Sequence, residues 1–299
     1  MTAEKPVFLL GLGAQKAGTT WLHDHLSGHP SANFGMMKEY HIFDALYVED
    51  MRYFLDRRDV TPSSSPRQFL SILRRTGRRP QTLEALRARL RAGADSYSGY
   101  FRDLVNAVSE CHLTGDMTPE YGCLPRDVFA EIRSHLEAAG FTVRPVFLLR
   151  DPVARCISAA RMYIGREANR LNAKTYAQIG LCTAMDVHPF TPHAEIRTRY
   201  DRTLTEVEAV FQQDEFFVGF YEELFSDAEI RRLSHFLGIP HVSPDFGKEV
   251  NASSTPKTKI DPALRARIAT HYRPVYEDMF RRFGEERIRR LWPSAVLLD

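Results

Sequence analysis

One junction constrains this chain more than any other. The apolar run Pro6-Val7-Phe8-Leu9-Leu10 opens into Gly11-Leu12-Gly13-Ala14-Gln15-Lys16-Ala17-Gly18-Thr19-Thr20-Trp21, and an amphipathic stretch from Thr19 to Ser27 follows, stopped by Gly28, His29 and Pro30. An apolar run, a small-residue loop and a helical period in that order read as strand, loop, helix. Small residues let the backbone curl so that its amides face an anion, the helix start adds partial positive charge, and Lys16 adds a full one. The loop is therefore a phosphate cradle. It departs from the Walker pattern GxxxxGK[ST], because Lys16 precedes Gly18 by two positions and is followed by Ala17.

The unit recurs. Arg144-Pro145-Val146-Phe147-Leu148-Leu149 leads to Asp151, suited to capping a helix, and Pro152, suited to its first turn, with the helix expected to run to about Tyr163. Asp151 as a metal ligand in the Walker-B manner is the other reading, and Pro152 favours the cap. A third apolar run, Phe216 to Phe220, lies between helical patterns at Thr203–Phe211 and Asp227–Leu237. Strands alternating with helices predict an α/β fold, a P-loop-like parallel sheet flanked by helices. No repeat or long low-complexity linker divides residues 1–299, so a single domain is expected, with a helical, arginine-rich insertion at about 61–105. Within it Arg67 to Arg91 holds eight arginines and one acid, Glu84, and reads either as solvated amphipathic helices or as a basic wall for an anionic acceptor. Arg155 and Arg161 read as solvated.

Composition narrows the function. With 40 basic and 38 acidic residues the net charge is +2, which gives no support for general nucleic-acid binding, so anion binding has to be local. No apolar stretch approaches the roughly 20 residues of a membrane span, and Glu4 spoils a secretory leader. Four scattered cysteines, Cys111, Cys123, Cys156 and Cys182, form no CxxC pair and suggest reduced thiols in the cytoplasm. Neither HExxH nor a cysteine cluster is present, and His23 and His25 stand two apart on one helix, so no metal is expected.

Gln15-Lys16-Ala17-Gly18-Thr19-Thr20-Trp21-Leu22 resembles the 5′-phosphosulfate loop of sulfotransferases that use 3′-phosphoadenosine 5′-phosphosulfate (PAPS). Arg150-Asp151-Pro152-Val153-Ala154-Arg155-Cys156-Ile157-Ser158 resembles that family's second signature, in which an arginine and a serine hold the 3′-phosphate; Arg150 and Ser158 are the matching positions. Ser158 would sit roughly 9 to 10 Å along the helix, a gap that an arginine and a phosphate can bridge. The resemblance implies PAPS as co-substrate, held by Gln15, Lys16, Ala17, Gly18, Thr19, Thr20, Trp21, Arg150 and Ser158. Trp21 and Leu22 otherwise read as packing residues, with the Trp21 amide placed to help the phosphate.

Lys38-Glu39-Tyr40-His41-Ile42-Phe43-Asp44 resembles the Lys-Glu-x-His-Phe-Phe-Asp stretch of the heparan-sulfate type and its bacterial relatives, where the glutamate is the base. That implies Glu39 as base, with His41 and Asp44 in the acceptor pocket; His41 as the base, as in the cytosolic branch, is the alternative. Gly115-Asp116-Met117-Thr118-Pro119-Glu120-Tyr121 resembles a further acceptor-cleft segment, with Met117 where those enzymes often carry a lysine, which favours a less charged acceptor. Asn251 to Pro262, with Lys257, stands where the family closes a segment over the nucleotide. The expected activity is sulfuryl transfer to a hydroxyl or amine of a small-molecule, lipid or saccharide acceptor. Lys16, Glu39 and His41 would be catalytic, and Asp44 and Met117 would bind acceptor. Rival readings are a P-loop kinase using ATP and Mg²⁺, for which Ala17 fills the required Ser/Thr position, and a catalytically silent nucleotide-binding protein. Acceptor identity and oligomeric state are not set by the sequence.

Overall fold

A computed structural model of the chain describes residues 5–55, 82–171, 186–247 and 260–299. Four strands, β1 (Val7–Gly13), β2 (Leu113–Met117), β3 (Thr142–Leu149) and β4 (Phe217–Phe220), form one parallel sheet in the order β2-β1-β3-β4. The apolar runs of β1 and β3 supply its two central strands, which are covered on both faces as parallel sheets require. β2 is the strand that sequence reasoning did not anticipate. Its Leu-Thr-Gly-Asp-Met carries two residue types depleted in strands, and the glycine is there for space, since a Cβ on Gly115 would lie 2.2 Å from the Leu9 carbonyl oxygen.

Helices surround the sheet: α1 (Thr19–Ser27), α2 (Phe43–Tyr47), α3 (Leu83–Arg91), α4 (Ala94–Asn106), α5 (Arg126–Ala138), α6 (Pro152–Leu171), α7 (Pro192–Ile196), α8 (Tyr200–Glu208), α9 (Tyr221–Leu224), α10 (Asp227–Phe236), α11 (Pro262–His271), α12 (Arg273–Phe283) and α13 (Glu285–Leu291). α1 starts and stops where the sequence places it. α6 continues past Tyr163 to Leu171, eight residues beyond the expected end. Asp151 caps it, accepting from the Val153 amide at 2.9 Å and the Ala154 amide at 3.3 Å, while Tyr276 and the Ser294 amide also bond its carboxylate.

The expected insertion divides. Residues 61–81 lie outside the described set; of the remainder, α4 lays Tyr97 and Phe101 against Phe8 of β1, with ring centroids 6.0 and 4.9 Å apart. α4 thus contributes to the core that covers the sheet, where each such buried ring stabilises by about 1.5–3 kcal/mol. No helix among the described residues is long and apolar enough to cross a membrane. Cys111, Cys123 and Cys156 are buried and free of disulfides, and Cys182 lies outside the described residues.

The pairing β2-β1-β3 brings three chain segments to one end of the sheet: the loop after β1, Thr118 to Glu120 after β2, and Arg150 after β3. The carboxyl ends of parallel strands are where such sheets bind ligands.

Candidate active site

The loop after β1 is shaped by backbone. Gly13 (φ +96°) and Gly18 (φ +88°) adopt left-handed conformations, and a Cβ at Gly18 would meet Leu224 of α9 at 2.6 Å, so the loop lies directly against that short helix. Lys16 itself has φ 72°, uncommon for a residue with a side chain. The Ala14 amide donates to the Leu148 carbonyl at 2.7 Å, which fixes the loop to β3, and Gly18 stands at the start of α1. Arg150 braces the curve from the neighbouring strand: its Nη1 donates to the Lys16 carbonyl at 2.7 Å, and its guanidinium lies 4.1 Å from the centroid of the Tyr221 ring. Ser158 is half-buried two turns into α6. Around Trp21 lies an aromatic group absent from the sequence-based site: Phe246 faces it nearly parallel at 6.0 Å and Phe225 stands edge-on at 5.0 Å.

Beside α1 runs a line of charged side chains. Lys38 Nζ donates to Thr19 Oγ1 at 3.3 Å and to Glu39 Oε1 at 2.5 Å. Glu39 Oε2 lies 3.5 Å from His41 Nε2, and His41 Nδ1 meets Asp44 Oδ2 at 2.6 Å. Burial opposes charge on His41, but the Asp44 carboxylate and Glu39 outweigh it and raise the imidazole to about 9, so at neutral pH it is imidazolium. Burial would likewise raise Glu39; the Lys38 ammonium and the His41 ring hold it well below the ordinary carboxylate range instead. Glu39 is therefore ionised, and with its side chain 37% exposed it can be reached. His41 is thus held between two carboxylates, Asp44 at Nδ1 and Glu39 at Nε2.

The segment is held from several sides. Thr118 Oγ1 accepts from the Tyr40 amide at 3.0 Å, and the Tyr121 hydroxyl accepts from the Ile42 amide at 3.2 Å. Asp116 is wholly buried beneath it, bonded by Thr118, Tyr121 and Tyr97, and burial pushes it up to about 6 despite those donors. From α3, Arg87 Nη2 donates to the Glu39 carbonyl at 3.1 Å, and Arg91 Nη2 to the His41 carbonyl at 3.2 Å. These two members of the arginine-rich stretch thus brace the charged segment from behind. His41 also stacks on Phe54 at 3.6 Å. Next to it, Glu120 accepts from Gln15 and pairs with Arg197 Nε, each at 3.3 Å. Donor atoms of His41, Asp44 and Glu120 lie within 4.8 Å of one another, a spacing suited to a cation, but the pairs with each other and with Arg197 already engage them.

Met117 is 1% exposed at the end of β2, in register with Gly11, where the close approach of that glycine leaves room for its thioether. One expectation requires correction. Arg155 was read as solvated; it is 0% exposed, since α6 turns it inward toward α7. Lys257 and its loop lie outside the described residues. Arg87, Arg91, Asp116, Glu120 and Arg197 were not singled out by the sequence. Their roles are set by distant contacts, and only the Gly115–Tyr121 segment carried a signal that pointed near them.

A chain with this sheet, a glycine-bent loop after its first strand and a line of charged side chains beside it belongs to the sulfotransferase family, whose model matches residues 6–244. The fold resembles a sulfotransferase from Alicyclobacillus acidocaldarius at 18% identity, with a TM-score of 0.55 over 92% of this chain and 94% of that one. The sulfotransferase domain of the Synechococcus PCC 7002 olefin synthase is 19% identical over 90% of each chain, with a TM-score of 0.43. That of the curacin biosynthetic pathway is 12% identical over 91% of this chain and 99% of that one, with a TM-score of 0.45. No curated protein sequence matches the chain.

Proposed function

We propose that this sulfotransferase takes its sulfuryl group from PAPS and passes it to a hydroxyl or amine, with Glu39 as general base. The observation that carries the reading is the continuous Thr19–Lys38–Glu39 contact, which sets an ionised, reachable carboxylate beside the first residue of the anion-binding helix. PAPS supplies an activated sulfuryl group whose leaving phosphate already carries charge. The residues present fit such a nucleotide: two left-handed glycines bend the loop, Lys16 stands within it, Arg150 and Ser158 follow the adjacent strand, and the exposed rings of Phe225 and Phe246, packed on the buried Trp21, offer aromatic surface to a base.

In this reading Lys16 and the loop amides stabilise the charge left on the phosphate as the S–O bond breaks, and Thr19 and Thr20 hold it at the start of α1. Glu39 accepts the proton from the acceptor through Oε2, the oxygen that the Asp44-held imidazolium of His41 orients. Lys38 adds a second cation between the two halves. The ATP and Mg²⁺ alternative needs a free carboxylate near the loop, and Asp151 is engaged by two helix amides, Tyr276 and Ser294.

Thermal shift tests the donor assignment. A ligand at 100 times its dissociation constant adds roughly 2.7 kcal/mol to the folded state, so 3′-phosphoadenosine 5′-phosphate should raise Tm where ADP does not. Stabilisation by ATP with Mg²⁺ and none by the 3′-phosphorylated nucleotide would sink the reading.

A further inference from the structure

Arg155 presents an electrostatic problem within its surroundings. It sits one turn into α6, its side chain is fully buried, and its guanidinium is protonated at any working pH. Nη2 reaches only the Cys156 sulfur at 3.4 Å and the Ala194 carbonyl at 3.5 Å, both weak for a charged donor. Nε and Nη1 have no hydrogen-bond partner. Cys156, Tyr200 and Tyr272 stand near this charge, and no carboxylate among the described residues forms an ion pair with it. Arg87, also buried with open donors, feels the charges of Asp44 and Asp116, and Arg197 has Glu120. Arg155 has no such counterpart among the described residues, and an interior cation is ordinarily matched by an anion.

The surroundings continue the pattern. His188, His193 and Tyr163 form a half-buried ring cluster, with centroids 4.9 Å apart for Tyr163–His188, 5.7 Å for Tyr163–His193 and 6.2 Å for the two histidines. Burial and the charges of Arg155 and Arg197 push both imidazoles down to about 4, so they are neutral at physiological pH and sit within reach of both guanidinium fields. His188 Nε2 is buried without a partner. Open N–H donors, neutral imidazoles and two guanidinium charges converge here, and the partial exposure of the rings gives an approach from outside.

We infer that Arg155, with His188 and His193 at its mouth, is a second anion site, separate from the phosphate loop, for a small oxyanion of the carboxylate or sulfate class. The anion would accept from Arg155 Nε or Nη1 and from a histidine N–H. Its position connects it to the acceptor side: Arg197 donates to the His193 carbonyl at 2.9 Å and to Glu120, which adjoins His41. The oxyanion is therefore either a free ion or a group carried by the acceptor. Only the second source rests on the functional reading above; the site itself does not.

The test follows the imidazole resonances of His188 and His193 in the full chain labelled on histidine, titrated with sodium sulfate, acetate and propionate against chloride at equal ionic strength. Saturable shifts with the oxyanions but not with chloride are expected, and they persist in Lys16→Ala, which disables the phosphate loop. Arg155→Lys should weaken the response at least about tenfold; should that variant misfold, His188→Gln, at a partly exposed position, provides the same comparison. Propionate binding as well as sulfate assigns the site to a group on the acceptor, and sulfate binding alone assigns it to a free ion. No saturable shift with any anion, an equal response to chloride, or loss of the response in Lys16→Ala overturns the inference, while failure of nucleotide binding in the thermal-shift test leaves it standing.

Discussion

The two halves of the site are built by opposite means. The phosphate loop is a contiguous run of backbone, bent by Gly13 and Gly18 and tied to β3 through Ala14. The charged line proposed to face the acceptor is a row of side chains held from α1, α3, the Thr118–Tyr121 turn and, through Glu120, Arg197. A backbone cradle tolerates change anywhere that keeps its curve, whereas a charged line fails at whichever partner is removed. Substitutions on the acceptor side should therefore separate chemistry from nucleotide binding, and those in the loop should not.

Glu39→Gln gives the largest effect that sharpens this contrast. It should lower kcat by about 10²- to 10⁴-fold, the range of general base catalysis, with a far smaller change in nucleotide affinity by calorimetry. Full turnover would end the base assignment. Lys16→Ala comes next, lowering turnover about 10²- to 10³-fold and weakening the nucleotide in the same variant, because one cation serves both. Should it lose turnover while binding nucleotide normally, the division between the halves fails.

Asp44→Asn removes the shorter of the two ion pairs of the buried His41 and should destabilise by about 3 kcal/mol in a urea titration. Gly18→Ala forces a side chain into a left-handed turn and against Leu224, which costs about 1–3 kcal/mol. The last effect is a pH dependence. With its pKa raised from 6.5 to about 9 in the folded state, His41 contributes stability that is fully present below pH 6.5 and fades as pH climbs through 9. The Tm of wild type should fall over that interval more steeply than that of His41→Asn; parallel curves would contradict the ion-paired imidazolium.

The same contrast explains what the sequence disclosed. β1, β3, α1 and the Asp151 cap were legible because apolar runs, glycines and caps act on near neighbours. β2 was not, since a strand of Leu-Thr-Gly-Asp-Met is stabilised by its place beside β1 rather than by its own preferences. Lys16 and Glu39 were nominated for catalysis through motifs that travel as contiguous residues. Arg87, Arg91 and Arg197 were not, because an arginine in a helical pattern looks the same whether it meets water or the carbonyl of Glu39. Arg155 was misjudged for a related reason: charge is a strong cue for exposure, and nothing local announces that a helix will turn it inward.

One ammonium group, Lys38 Nζ, is shared between Thr19 and Glu39. A change that draws Thr19 elsewhere alters the hold on Glu39, and by reciprocity a change at Glu39 is felt at Thr19. Substitutions at these two positions should accordingly be epistatic, and a loop grafted from another protein would bring with it a different hold on the Glu39 carboxylate. In that sense residue 38 sets the limit of modularity in this active site: its halves can be described separately but have to vary together.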